Sequence, residues 1–249
     1  MHTINIQTAI FNFPLVLQDA VHFKKTISSA IHDLREKGET EGITTDLFYN
    51  RNEETGNSEN RYPLIQYKPI NGKAAIIAIN EGADALNAIL SLLKKESNKP
   101  FNKKFLVTKQ NPIDLSKPKL LPLQKHKIQL LSKKQQYLIT DWLPLDSQRY
   151  KAWTASGELK MLVEILDECL PRQIANMIAS VGYSHSFPFV AHTTSILATK
   201  EKLQVYEEKK VPFDCTFDCN VCLPENIGIG QVPGIGYGRI FPFNSKNYF

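Results

Sequence analysis

No stretch of these 249 residues approaches the roughly 18 consecutive apolar residues expected of a membrane-spanning helix. The first residues lack the basic, apolar and small-residue succession of an export signal. Both absences lead us to expect a soluble, cytoplasmic chain. Nucleotide fingerprints are missing too. The glycine-dense stretch Leu223 to Arg239 has no Gly-Lys-Ser/Thr ending and no flanking strand-then-helix pattern, so a nucleotide cofactor is not expected. Cysteine is scarce, with four in all. Cys215, Cys219 and Cys222 do have the spacing that radical enzymes use for an iron–sulfur cluster. A period of two argues otherwise, placing Val211, Phe213, Cys215, Phe217, Cys219, Val221 and Leu223 on one face of a strand. Two of the cysteines then read as small buried hydrophobes and Cys222 points the other way, so neither metal nor cofactor is expected.

Acidic residues are nearly absent from one region. Between Lys94 and Lys134 twelve lysines face only Glu96 and Asp114, while the rest of the chain is slightly acidic. Such asymmetry is either a solvated basic linker or the footprint of a polyanion partner, whose binding would weaken with salt.

What is present reads in order as follows. His2 to Phe13 alternates Ile4, Ile6, Thr8 and Ile10 and ends near Pro14, as a strand does. Asp19 to Lys37 repeats Ala20, Phe23, Ile27, Ala30, Ile31 and Leu34 at helical spacing, with Asp19 as N-cap and Gly38 beyond the end. His22 and His32 project roughly 130 to 150° from the centre of that apolar stripe, which makes them accessible. Gly38 to Asn60 is polar and reads as a loop. Strands at Arg61 to Pro69 and Lys73 to Asn80 flank an Asn71-Gly72 turn, Glu81 opens a second helix, and Phe105 to Thr108 suggests a fourth strand. Strand, helix, strand, strand, helix, strand is the ferredoxin-like succession. Lys109 to Gln124, with three prolines, reads as a linker. A second sheet-rich unit follows: a strand at Tyr137 to Leu145, helix from Ser156 to Val181 restarted at Pro171, and a long hairpin from Phe189 to Leu223. The glycine segment then closes the chain, either as a glycine-kinked hairpin or as an anion-binding loop.

Two sets of residues resemble one family. Arg61-Tyr62-Pro63-Leu64-Ile65-Gln66-Tyr67-Lys68 with Ala78-Ile79-Asn80-Glu81-Gly82, and later Trp142-Leu143-Pro144-Leu145, the helix around Glu158 to Asp167 and Leu223-Pro224-Glu225-Asn226-Ile227-Gly228-Ile229-Gly230, are similar to the CRISPR-associated repeat-processing endoribonucleases of the RAMP superfamily, b subtype. The resemblance implies an α+β fold of two tandem ferredoxin-like (RRM-like) modules: residues 1–110, a basic linker at 111–135, and 136–249 with the glycine-rich loop.

It also implies a metal-independent endoribonuclease that cuts CRISPR precursor RNA within the repeat through attack of a ribose 2′-hydroxyl on the adjacent phosphate. That reaction needs a base, an acid and a cation, and histidine suits the first two. The family often places a His-Asn-His triplet before the Arg-Tyr-Pro signature, where this chain has Tyr49-Asn50-Arg51. The catalytic expectation is therefore Tyr49 as base or as the group orienting the 2′-hydroxyl, Arg51 on the phosphate, and His22 or His32 as proton donor, with His126, His185 and His192 in reserve. Lys68, Lys73, Gly228, Gly230, Gly234, Gly236, Gly238 and Arg239 are the expected RNA contacts, with Gln231 where relatives carry lysine. CRISPR repeat RNA is the implied partner, with effector-complex subunits or a second copy as further ones. The alternative is a subunit that holds the processed RNA without cutting it.

Overall fold

The computed structural model describes residues 2–49, 61–95, 115, 117–183, 189–201, 203–205 and 208–243. The expected strand at Phe105 to Thr108, and Arg51 and His185, lie outside them. The chain divides into two compact units. One comprises Ile4–His126 together with Gly234–Gly236, the other Met1–Thr3, Lys127–Pro233 and Tyr237–Phe249.

The unit built on Ile4–His126 begins with β1 (His2–Pro14), a 3-10 turn at Leu17–Asp19, α1 (Ala20–Glu36) and a single turn, α2 (Asp46–Tyr49). β2 (Ile65–Ile70), β3 (Lys73–Ile79), α3 (Glu81–Lys95), β4 (Lys119–Leu120) and β5 (Gln124–Ile128) follow. The sheet runs β2-β3-β1-β4, with β1–β3, β1–β4 and β2–β3 all antiparallel, and β5 also pairs with β1. This is the ferredoxin-like order. Its fourth place is filled by Lys119–Leu120, inside the stretch read above as a linker. Two residues flanked by prolines give no periodicity, and they are held by the ladder to Ala9 and Ile10. The β2–β3 turn is tight because Asn71 and Gly72 both take positive φ, 49° and 72°, as a type I′ turn requires.

β1 is buried on both faces. Ile4 and Ile6 fill one, while Phe11 and Phe13 on the other meet Phe23 of α1, with ring centroids 5.3 and 5.5 Å apart. Tyr67 of β2 completes that aromatic cluster at 5.6 Å from Phe23. Asp19 precedes α1, but its side chain makes no capping bond. The 3-10 turn has already brought its backbone into helical geometry (φ −88°, ψ −4°), whereas a capping residue is typically extended.

The other unit repeats the same order with one replacement. β6 (Leu130–Trp142) leads to α4 (Ser147–Ser156) and α5 (Leu159–Ser180), then β7 (Ala191–Thr199), a small hairpin of β8 (Leu203–Val205) and β9 (Glu208–Lys210), β10 (Phe213–Val221) and β11 (Arg239–Pro242). The sheet runs β11-β6-β10-β7, antiparallel throughout. Counting from β6, that is again fourth, first, third, second. The glycine segment between β10 and β11 stands where the succession would have its second helix. Phe213, Cys215, Phe217, Cys219 and Val221 are all buried on one face of β10, as the alternation requires, and Tyr137 stacks on Phe217 at 5.3 Å.

One helical expectation is corrected, and one helix is additional. α5 runs unbroken through Pro171, since buried Leu166, Cys169 and Leu170 before it and Ile174, Met177 and Ile178 after it form one stripe, and packing outweighs a lost backbone bond. α4 was not anticipated. It buries none of its residues and so carries no periodic signal. Its ends are set by Asp146, whose Oδ1 accepts the Arg149 N–H at 2.8 Å, and by Gly157 at φ 68°.

Burial pushes the Cys215 thiol up to about 12 and Cys219 to about 11, and raises the Tyr137 phenol as well. These groups stay neutral in the folded protein at a pH where the unfolded chain, with cysteine near 8.5, already ionises. The stability they contribute is complete below about pH 8.5 and is lost as pH rises toward the folded values. Thermal melts should therefore be flat from neutral pH to about 8.5 and fall above it. Cys215→Val should flatten that fall; an unchanged slope would remove the thiol from the explanation.

Candidate functional site

The signature Arg61 to Lys68 turns out to hold α2 and the turn before β2 in place. Arg61 Nη2 pairs with Asp46 Oδ2 at 3.0 Å, and the buried Tyr67 hydroxyl donates to the Phe48 carbonyl at 3.4 Å. Gln66 Nε2 donates to the Tyr62 hydroxyl at 2.7 Å and to the Pro63 carbonyl at 3.3 Å, and its Oε1 accepts from Lys68 Nζ at 2.7 Å. Desolvation raises the Tyr62 and Tyr67 phenols well above the ordinary tyrosine value, so both remain donors and acceptors rather than anions. The second signature block has the same character. Asn80 exchanges bonds with the backbone of Asn5, its N–H with the carbonyl and its Oδ1 with the amide. Gly82 lies where a Cβ would stand 2.8 Å from the Leu64 carbonyl oxygen.

α2 ends in Tyr49. Its hydroxyl donates to the Ser28 carbonyl of α1 at 3.0 Å, and its own carbonyl accepts from Lys24 Nζ at 3.3 Å. In an α-helix the carbonyl of residue 28 is the one that serves the N–H of residue 32, so the Tyr49 phenol is seated one turn from His32. His32 is exposed and His22 half-buried. From Ser28 it is four residues to His32, about 6 Å of helical rise, and six to His22, about 9 Å, so the Tyr49 phenol lies nearer His32. Lys24, which the sequence reading passed over, belongs to this group; its only signal was its place one turn before Ser28.

Lys68, expected as an RNA contact, is fully buried with its ammonium on Gln66, so its charge acts within the unit. Lys73 is exposed on the hairpin, donating to Asn12 Oδ1 at 3.1 Å. Arg239 has its guanidinium 3.6 Å from Asp141 Oδ2 and 5.7 Å from the centroid of Phe241, and Asp141 is also paired with Lys200 at 2.7 Å. The glycine segment is bonded to itself, to β11 and to the end of β6. The N–H groups of Asn226, Ile229, Gln231, Gly238 and Ile240 donate to the carbonyls of Ile240, Gly238, Leu143, Asp141 and Ile227. Gly228, Gly230, Gly234 and Gly236 each have protein atoms within 3.3 Å of where a Cβ would be. Much of the glycine density is thus explained by packing of protein against protein.

A family model of the Cas6b N-terminal domain matches residues 8–110, and one of the Cas6b C-terminal domain matches residues 129–243. The chain belongs to the Cas6b family. A crystal structure of Cas6b has a TM-score of 0.72 at 19% identity, covering 97% of this chain and 100% of that one. One of the CRISPR RNA processing endoribonuclease Cas6b scores 0.62 at 19% identity with the same coverage. Csf5, a Cas6 crRNA endonuclease of CRISPR-Cas type IV, scores 0.53 at 13% identity, covering 98% and 100%. These likenesses establish that the two ferredoxin-like units are the Cas6b fold. None of the curated proteins compared with the chain matches it. Among the described residues, no helix is long and apolar enough to cross a membrane.

Proposed function

We propose that this Cas6b chain cuts CRISPR precursor RNA within the repeat by attack of a ribose 2′-hydroxyl on the adjacent phosphate. The bond from the 2′-oxygen to phosphorus forms, the bond to the 5′-oxygen breaks, and the products are a cyclic phosphate and a 5′-hydroxyl. The observation that carries this reading is the Tyr49 phenol, seated on the Ser28 carbonyl one turn from exposed His32 in a segment pinned by the family signature. His32 is the proton-transfer group, moving the 2′-proton to the leaving oxygen. Tyr49 orients the 2′-hydroxyl, and Arg51 supplies positive charge to the phosphate as it becomes five-coordinate. His22 is the second candidate for the proton. Side chains fill each of these roles, so no metal ion is called for. Lys73 and the exposed Lys117, Lys119 and Lys125 hold the RNA backbone, positioning it without reading sequence. Arg239 and the glycine segment carry the remaining backbone contact. CRISPR effector subunits or a second copy of the chain are the further partners of this reading.

Incubation with repeat RNA in EDTA, alongside RNAs carrying a 2′-deoxy residue at each position in turn, tests it. Cleavage at one site, abolished by one deoxy substitution, is the expected result. Tight binding without cleavage would instead support a subunit that only holds RNA, a reading favoured by Tyr49-Asn50-Arg51 standing where relatives often carry His-Asn-His.

A further inference from the structure

The unit containing β6 holds a pocket that none of the roles above uses. It opens between the residues after β6 (Leu143, Leu145), the first turns of α4 (Tyr150, Lys151) and the junction of β9 with β10 (Lys210, Val211), and has a volume of about 210 Å³. We propose that this pocket takes one unpaired nucleobase of the RNA, with the flanking phosphates on Lys151 and Lys210. The inference rests on the RNA-binding reading and gives that reading a point of base recognition.

Size is the first argument. An apolar cavity of about 150 Å³ accepts a benzene-sized ring, whereas ordinary ligand sites start near 300 Å³. This pocket has room for one flat heterocycle. Its floor is apolar, since Leu143, Leu145 and Val211 are all buried, and Tyr150 supplies an aromatic wall. Unpaired bases splayed from RNA are held against such surfaces, each π-face being acceptable to an aromatic ring.

Charge decides between a base and an apolar protein side chain. The acid at the mouth, Asp146, is committed: its Oδ1 accepts from the Arg149 N–H at 2.8 Å and its Oδ2 from Arg149 Nη1 at 2.7 Å. The second arm of Arg149 is on Glu168 at 2.6 Å. Among the residues lining the pocket, two lysines, Lys151 and Lys210, thus stand against one acid, a lining that a polyanion matches better than an apolar side chain does. Lys210 Nζ also donates to Gln231 Oε1, tying the rim to the glycine segment.

Titration of full-length protein with repeat RNA, at one fixed salt concentration, tests the proposal against a set of repeat RNAs that each lack one unpaired base. In the wild type, one abasic position should weaken binding by about tenfold. Tyr150→Ala should weaken the intact RNA by a similar factor and leave the abasic RNA unaffected, because the two changes remove the same contact. Ser147→Phe, at an exposed position on the rim, should block the pocket and do the same without removing a packed side chain. Salt-dependent RNA binding that neither variant alters would overturn the pocket and leave the repeat-RNA reading standing. If in addition the variants lowered assembly with a CRISPR effector complex, the pocket would belong to a protein side chain. No binding of repeat RNA by the wild type would overturn both readings.

Discussion

His32→Ala should slow cleavage of repeat RNA by two to four orders of magnitude while leaving its Kd within about twofold, the usual scale of a proton-transfer group. His32 is exposed on α1, so its removal opens no cavity and should not lower Tm. Loss of rate therefore reports chemistry rather than folding. Tyr49→Phe keeps the ring and removes only the hydroxyl bonded to Ser28; a smaller loss of about tenfold is expected, because orientation and not proton transfer is affected. Arg61→Ala separates position from chemistry. It removes one of the bonds that hold α2, while those from Tyr67 to Phe48 and from Tyr49 to Ser28 remain, so a fall in rate at unchanged Kd reports the placement of α2. Cleavage by His32→Ala at the wild-type rate would transfer the role to His22, about 15 Å away along the same helix, and detach Tyr49 from the reaction.

The sequence carried the architecture through features that repeat. Alternation in β10, the helical stripe of α1 and the Asn71-Gly72 turn follow from side chains that must be buried or from a backbone that must take positive φ, and each is legible in a short window. The signature blocks were legible as a family resemblance, but their physical meaning was not. Gln66, Tyr67 and Lys68 are a buried polar chain and its neighbour, so a lysine that reads as an RNA contact is an interior hydrogen-bond donor. Elements held only by long-range partners were missed for the complementary reason. β4 exists because Ala9 and Ile10 offer it a ladder, and α4 because Asp146 and Gly157 set its ends while no apolar stripe marks it. The seat of Tyr49 on Ser28 joins residues 21 apart through a main-chain carbonyl, which no side-chain pattern encodes.

The glycine segment gives the second large effect, and a paired substitution isolates its cause. Gly238 and Gly157 have nearly the same backbone, φ 67° and 68°. A Cβ at Gly157 would meet nothing within 4 Å, whereas one at Gly238 would overlap the carbonyl oxygen of Ile229. Gly157→Ala should cost only the left-handed conformation, about 1 to 2 kcal/mol, or roughly 2 to 8 °C in Tm. Gly238→Ala adds an overlap with main chain that cannot swing aside. To relieve it, the Ile229 N–H bond to Gly238 and the Gly238 N–H bond to Asp141 must lengthen or break. A total loss of about 4 kcal/mol or more is expected, with Tm lowered by more than about 10 °C or the protein recovered insoluble. RNA affinity separates packing from ligand contact. Gly236→Ala, where a Cβ would press on Lys68 Cβ and the Tyr67 carbonyl, should also lower Tm. If Gly238→Ala melts like Gly157→Ala and loses only RNA binding, the glycines face the RNA and not the protein. If it melts far lower, the segment is a packed substitute for the missing second helix, and its glycines are there because backbone must lie against backbone.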